Sequence, residues 1–169
     1  LTLGLAAGLE VRGPSPPPLS VNAAVDAGIR VGAYSVLGEF RWTPPVGVAT
    51  DKAGREQVRA MQYVGAVVPC WHIEAYSLCG VIRVTAAAVT SPLSMAPAPL
   101  ATLGVAVGGR VGGDVLTDKR GLLHGRISVD ALGVIQNATL YYNDLPLTPS
   151  GPGIAVVLSA GVVADLSIK

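Results

Sequence analysis

The sequence predicts an all-β fold, an eight-stranded antiparallel up-and-down transmembrane β-barrel, on three observations. Apolar residues alternate with small or polar ones along about eight segments of strand length, which is the period of a strand with two different surroundings. Hydrophobic residues make up 50% of the chain and charged residues only 14%, yet no apolar run approaches the ~18–20 residues of a transmembrane helix. The 21 glycines and 13 prolines favour many turns over long helices. We therefore expect one β-barrel domain over residues 1–169.

The strands are predicted from the alternation and the connections from the glycine-, proline- and polar-rich stretches between them. The alternating segments are, in chain order, residues 1–11, 19–31, 34–43, 58–70, 77–89, 100–112, 123–131 and 153–167. Between them lie the proline-rich 12–18, the tight connection at 32–33, a polar loop at 44–57, a short turn near 72, and the stretches 90–99, 113–121 and 133–152. Shorter turns at one end and longer loops at the other are typical of outer-membrane barrels, and they place both termini at the short-turn, periplasmic end.

The hairpin between Val58 and Val89 carries both cysteines of the chain. Cys70 and Cys79 lie at either end of its polar turn, WHIEAYS, and would be nearly opposite each other if the two runs pair. Pro69 fits the end of a strand better than its middle. We expect a disulfide between the cysteines and hence an oxidising compartment, with two buried free thiols as the alternative.

The polar faces of the strands carry charged residues that a closed barrel would place in its interior if the apolar faces point outward. These residues are Glu10, Asp26, Arg30, Glu39, Arg41, Arg83, Arg110, His124, Arg126 and Asp130. Charges removed from water need partners, and an eight-stranded barrel is only wide enough for side chains to fill. We therefore expect an ion-pair network with trapped water that plugs the interior.

Alternation alone does not say which face is inside, and a soluble lipocalin-like carrier of small ligands would have the apolar face inward. Three features favour the lipid-facing arrangement. The polar face is rich in small residues and almost lacks lysine, unlike a solvated face, and the apolar face is mostly aliphatic. In addition, Tyr34, Trp42, Tyr63 and Trp71 lie near predicted strand ends, where membrane barrels carry aromatic girdles.

In plan, the chain resembles the small single-chain outer-membrane β-barrel proteins of Gram-negative bacteria, of the OmpA/OmpX type. The resemblance covers nearly the whole chain and rests on the strand rhythm, on VPCWHIEAYSLCG at a short turn, on LGEFRW and on the last strand, LSAGVVADL. Among such proteins, the chain is similar to uncharacterised barrels with a paired-cysteine hairpin. The resemblance implies a location in the bacterial outer membrane, with the lipid bilayer around the barrel.

We expect a structural or interaction role in the cell envelope, with envelope or extracellular partners bound through the loops at 44–57 and 133–152. A narrow, porin-like channel for ions or small solutes is the alternative. The net charge of +1 and scattered basic residues give no footprint for nucleic acid.

No enzyme activity, metal or cofactor is predicted. Ser128, His124 and Asp130 share one strand face, but residues two and four apart on a strand are separated by about 7 and 14 Å, too far for a catalytic triad. Cys70, His72 and Cys79 offer only three ligands for zinc, so a disulfide is the better interpretation.

Overall fold

A computed structural model of the chain describes residues 1–12, 19–50, 56–90, 103–118, 122–136, 138, 141–142, 145–146 and 153–166. These residues form a closed antiparallel barrel of eight strands, as the alternation predicted. The barrel strands are β1 (Thr2–Arg12), β2 (Leu19–Val31), β3 (Tyr34–Thr50), β4 (Glu56–Ile73), β5 (Tyr76–Thr90), β6 (Gly104–Thr117), β7 (Leu123–Gln136) and β10 (Gly153–Asp165). The two-residue strands β8 (Tyr141–Tyr142) and β9 (Leu145–Pro146) pair with each other in the last connection. Within these described ranges, no helix could cross a membrane.

Each barrel strand pairs with its neighbours in the chain, and β1 closes the barrel against β10. The closing register runs from Thr2 opposite Asp165 to Arg12 opposite Ala155. The backbone N–H of Leu166 donates to Leu1 O at 2.7 Å and extends the seam beyond the last strand pair. Closure removes the unpaired edges that an open sheet of these strands would expose.

The two faces of the wall differ sharply in composition. Large aliphatic side chains point outward, and among them Leu5, Ile29 and Ile154 are each at least 63% exposed. Glu10 and Asp130, by contrast, face inward and are at most 2% exposed. The soluble-carrier alternative required the apolar face inside, so that interpretation is wrong.

Two of the short connections are two-residue turns. Gly32 and Ala33 join β2 to β3, with Gly32 at a φ of 61°, which confirms the tight connection expected there. Glu74 and Ala75 join β4 to β5, so the turn in the cysteine hairpin is shorter than the predicted WHIEAYS segment. We call this side of the barrel the short-turn end.

Pro69 lies inside β4 rather than at its end, which differs from the prediction. The pairing of β4 with β5 runs to Val67 opposite Ile82 and resumes at Cys70 opposite Cys79. The pairing with β5 is therefore interrupted at Pro69, where the proline has no N–H to donate.

The predicted loop at 44–57 is also wrong, because β3 continues to Thr50 and β4 begins at Glu56. The prolines at positions 44 and 45 fall where the β3–β4 register shifts, between Thr43 and Val46, and irregular pairing is where a strand accepts proline. Strands β6 and β7 likewise run further than predicted, to Thr117 and Gln136. Residues 51–55 and much of the predicted loop at 133–152 lie outside the described residues.

Candidate functional site: the polar lumen of the barrel

Two arginines and two carboxylates occupy the middle of the lumen and form what we call the central cluster: Glu39, Arg41, Arg110 and Asp130. Arg110 donates from Nε to Asp130 Oδ1 at 2.6 Å and from Nη1 to Glu39 Oε2 at 2.8 Å. Arg41 donates from Nε to Glu39 Oε1 at 2.5 Å and lies 3.4 Å from Asp130 Oδ2. All four side chains are less than 10% exposed. Each acid is thus shared by both bases, the arrangement that the planar, multi-donor guanidinium group permits.

Two neutral side chains extend the central cluster to further strands. Arg41 Nη1 donates to Ser159 Oγ on β10 at 3.0 Å and to Asn22 Oδ1 on β2 at 3.5 Å. With Glu39 on β3, Arg110 on β6 and Asp130 on β7, polar bonds therefore connect five strands across the lumen. The sequence does not predict Asn22 or Ser159 as partners of the charges, because only the closed barrel brings these strands together.

A second ion pair lies toward the long-connection end of the barrel. Arg83 Nη2 on β5 donates to Glu10 Oε2 on β1 at 2.8 Å and to Oε1 at 3.0 Å. Both residues are at least 96% buried, and the pair spans the lumen between strands that are not neighbours. A cavity of about 20 Å³ beside it, lined in part by Thr85 and Leu132, has room for about one water molecule.

A third polar group lies at the short-turn end. Arg126 Nε donates to Asp114 Oδ1 at 3.1 Å, and Thr2 Oγ1 donates to Asp165 Oδ1 at 2.8 Å. His124 lies between the two acids, 3.6 Å from Asp114 Oδ1 and 4.0 Å from Asp165 Oδ2. Asp114 was missed because it was assigned to a turn. Asp165 lies in the predicted last strand, but the predicted set of interior charges does not include it.

Nine of the ten charged residues predicted for the interior face the lumen, and Arg30 does not. Arg30 is exposed at the end of β2, one residue before its last, and its Nε donates to Gly32 O at 3.2 Å. The alternation places Arg30 on the inward face of β2, but next to the turn its long side chain extends into solvent. The interior assignment of Arg30 is therefore wrong.

The residues considered for catalysis or zinc binding have other partners. The carboxylate of Asp130 bonds to two guanidinium groups, so it does not orient His124 beside Ser128. Cys70 and Cys79 form the predicted disulfide, with a Cα–Cα distance of 4.0 Å, which removes both thiolates from any zinc site with His72. His72 Nε2 instead shares a hydrogen bond of 2.8 Å with Ser35 Oγ.

The disulfide lies on the inner surface of the wall, where both of its residues are buried. It packs in an apolar cluster with Leu37, Val68 and Val81. Strands β3, β4 and β5 therefore contribute apolar side chains to the inner surface beside the disulfide.

The outward aromatic residues of the described barrel form two groups on β3, β4 and β5. Tyr34 lies opposite Trp71 near the short-turn end, and Trp42 lies opposite Tyr63 further along the same strands. Tyr34 and Trp42 are separated by about 27 Å along a strand, or about 20 Å across a membrane at the ~40° tilt of such barrels. This spacing is close to the ~25 Å height of the apolar band that aromatic girdles flank.

The fold is that of the small outer-membrane barrels. The structure is similar to that of Neisserial surface protein A (NspA), with a TM-score of 0.60, 9% sequence identity, and coverage of 98% of this chain and 96% of that one. It is also similar to the outer membrane protein OprG from Pseudomonas aeruginosa, with a TM-score of 0.57, 9% identity, and coverage of 99% and 96%. No protein family model and no curated protein sequence matches the chain.

Proposed function

We propose that this chain resides in a bacterial outer membrane as a closed barrel, with a structural or interaction role in the cell envelope. The outward aliphatic surface supports the location, because such a surface is stable only against lipid or another apolar partner. The Cys70–Cys79 disulfide also supports it, since disulfides persist in oxidising compartments such as the periplasm. The short-turn end would then face the periplasm.

The central cluster is the main support for a closed interior. Glu39 on β3 bonds to Arg110 on β6, and these strands are separated by two others along the wall. A passing ion would have to disrupt these buried ion pairs, and leaving one partner of such a pair uncompensated costs about 3–5 kcal/mol. The central cluster therefore acts as a plug in the middle of the lumen.

The interaction role is supported by the length of the β3–β4 hairpin. These strands contain 17 and 18 residues, whereas a strand needs about 9–11 residues to cross a bilayer. Beyond Trp42 the hairpin stays paired to Thr50 opposite Glu56, which is about 27 Å further along the strand. We expect partners to bind this extension on the outer side of the membrane.

Planar-bilayer recording tests the closed interior. The wild-type barrel is expected to show no steady conductance, because the central cluster fills the lumen. The double variant Glu39→Ala/Arg41→Ala removes one acid and one base together and should produce conducting events. Arg30→Ala, an arginine outside the lumen, is the matched control and should behave as wild type.

A steady conductance in the wild-type protein that depends on ion size would contradict the closed barrel. That result would favour the narrow channel for ions or small solutes instead.

A further inference from the structure

The middle of the lumen contains one more carboxylate than it has guanidinium groups to pair with. Three acids meet there, Asp26, Glu39 and Asp130, but only two bases, Arg41 and Arg110. Both bases bond to Glu39 and to Asp130. Within the part of the chain that the structure describes, Asp26 forms no ion pair or hydrogen bond.

Asp26 of β2 lies close to Glu39 of the neighbouring strand β3. It lies directly opposite Glu39 in the β2–β3 register, on the same inward face. Its carboxyl group lies over Gly4 of β1, where a Cβ would come within 2.6 Å of Asp26 Oδ1 and 2.7 Å of its Cγ. Glycine at position 4 therefore makes the space that this carboxyl group fills.

Asp26 as a residue is half-buried, but its Oδ1 atom has almost no solvent-exposed surface and no hydrogen-bond partner. A buried acceptor without a donor is costly, and two acids directly opposite each other on a sheet repel. The charged groups that act on Asp26 are Glu39 and Arg41 from β3, Arg110 from β6 and Arg126 from β7, and β1 presents none to it. The guanidinium groups act at a distance, since none of them bonds to the carboxylate.

A second residue on the same inner face of β2 has one polar atom without a partner. Asn22 is 2% exposed, and its Oδ1 accepts from Arg41, but its Nδ2 donates to nothing in the described residues. Buried amide donors of this kind are satisfied by ordered water. Asn22 lies four residues from Asp26 on β2, about 13 Å along the strand, so a cation at Asp26 leaves room for a separate water molecule at Asn22.

We propose that Asp26 binds one cation, either a proton or a small monovalent metal ion, which balances the third carboxylate in the middle of the lumen. The inference goes beyond the proposed closed barrel, because a cation bound at Asp26 is compatible with a conducting or a non-conducting lumen.

The test compares the unfolding midpoint of the wild-type barrel in detergent with that of Asp26→Asn, which keeps the shape of the side chain and removes its charge. One series exchanges choline chloride for sodium or potassium chloride at neutral pH and constant ionic strength. The other raises the pH from mildly acidic to mildly alkaline in choline chloride. Glu74→Gln, which removes an exposed carboxylate in the β4–β5 turn, outside the lumen, is the matched control.

If a metal ion balances Asp26, the wild-type midpoint should rise by roughly 2–4 °C as sodium or potassium replaces choline, and Asp26→Asn should not respond. If a proton does so, the wild-type midpoint should fall as the pH rises while that of Asp26→Asn stays level, without a response to the salt. In both cases Glu74→Gln should keep the wild-type responses.

Equal responses of the wild type and Asp26→Asn in both series would overturn the proposal, since Asp26 would then be an ordinary hydrated carboxylate. If Asp26→Asn does not fold, Asp26→Ser supports the same comparison, because it also removes the charge and is smaller.

Discussion

Arg110 is the residue on which the central cluster depends most, because its guanidinium bonds to both Glu39 and Asp130. Replacing it by alanine leaves two buried carboxylates with only Arg41 between them. We expect Arg110→Ala to lower the free energy of unfolding by about 3–5 kcal/mol, the usual cost of breaking a buried pair. Urea unfolding of the refolded barrel in detergent measures this change.

The matched control is Arg30→Ala, the same substitution at an exposed arginine of the same barrel. Its loss should stay within about 0.5 kcal/mol, as for most surface substitutions. Similar losses in the two variants would mean that the central cluster contributes no more than a solvated arginine does.

For an individual charged residue, the sequence predicts which face of the strand it occupies but not which residue it pairs with. The alternation assigns Glu10 and Arg83 to polar faces, yet their pairing depends on how strands β1 and β5 face each other across the closed barrel. The phase also fails at the ends of strands, as at Arg30, where a long side chain can turn toward water.

The seam between β1 and β10 is the element that closes the barrel, and Gly161 lies in it opposite Ala6. A Cβ at Gly161 would overlap Leu5 O and come within 2.7 Å of Ala6 Cα, so the backbone of β1 would have to shift. We expect Gly161→Ala to lower the free energy of unfolding by about 1–3 kcal/mol, as overpacking does. The measurement is the midpoint of heat unfolding, read from mobility on a gel.

Gly65 of β4 is the control for this substitution, since a Cβ there would meet nothing within 4 Å. Gly65→Ala should leave the midpoint near that of the wild type. A seam variant as stable as Gly65→Ala would show that the β1–β10 contact is looser than described.

The core of each strand could be predicted from the period-two pattern, but several strand ends could not. The prolines at positions 44 and 45 indicate a loop by their chemistry, and only the register shift between Thr43 and Val46 explains how β3 continues through them. The short-range pattern contains no information about such a shift, because it depends on the partner strand.

For the whole molecule, the sequence predicted the number of strands, the closed antiparallel topology and the disulfide. It could not decide from alternation alone which face lies inside, because an inverted barrel has the same period. The structure resolves this with the buried side chains of Glu10, Arg41 and Asp130 and the exposed ones of Leu5 and Ile29.

The outward aromatic residues allow the lipid-facing arrangement of the whole barrel to be tested. Trp42 and Trp71 both point outward, are 40% and 47% exposed, and lie in the two aromatic groups at different heights on the wall. If the outer surface faces lipid, each indole should lie near one of the two membrane interfaces.

The most direct measurement is quenching of tryptophan fluorescence by brominated lipids, with the barrel refolded into vesicles. The variants Trp42→Phe and Trp71→Phe leave one tryptophan each, and lipids brominated at several depths locate it. We expect strong quenching in both variants, greatest with bromine near the interface and weaker with bromine at the bilayer centre. Fluorescence that no brominated lipid quenches, from protein that stays in solution without detergent, would contradict a lipid-facing barrel.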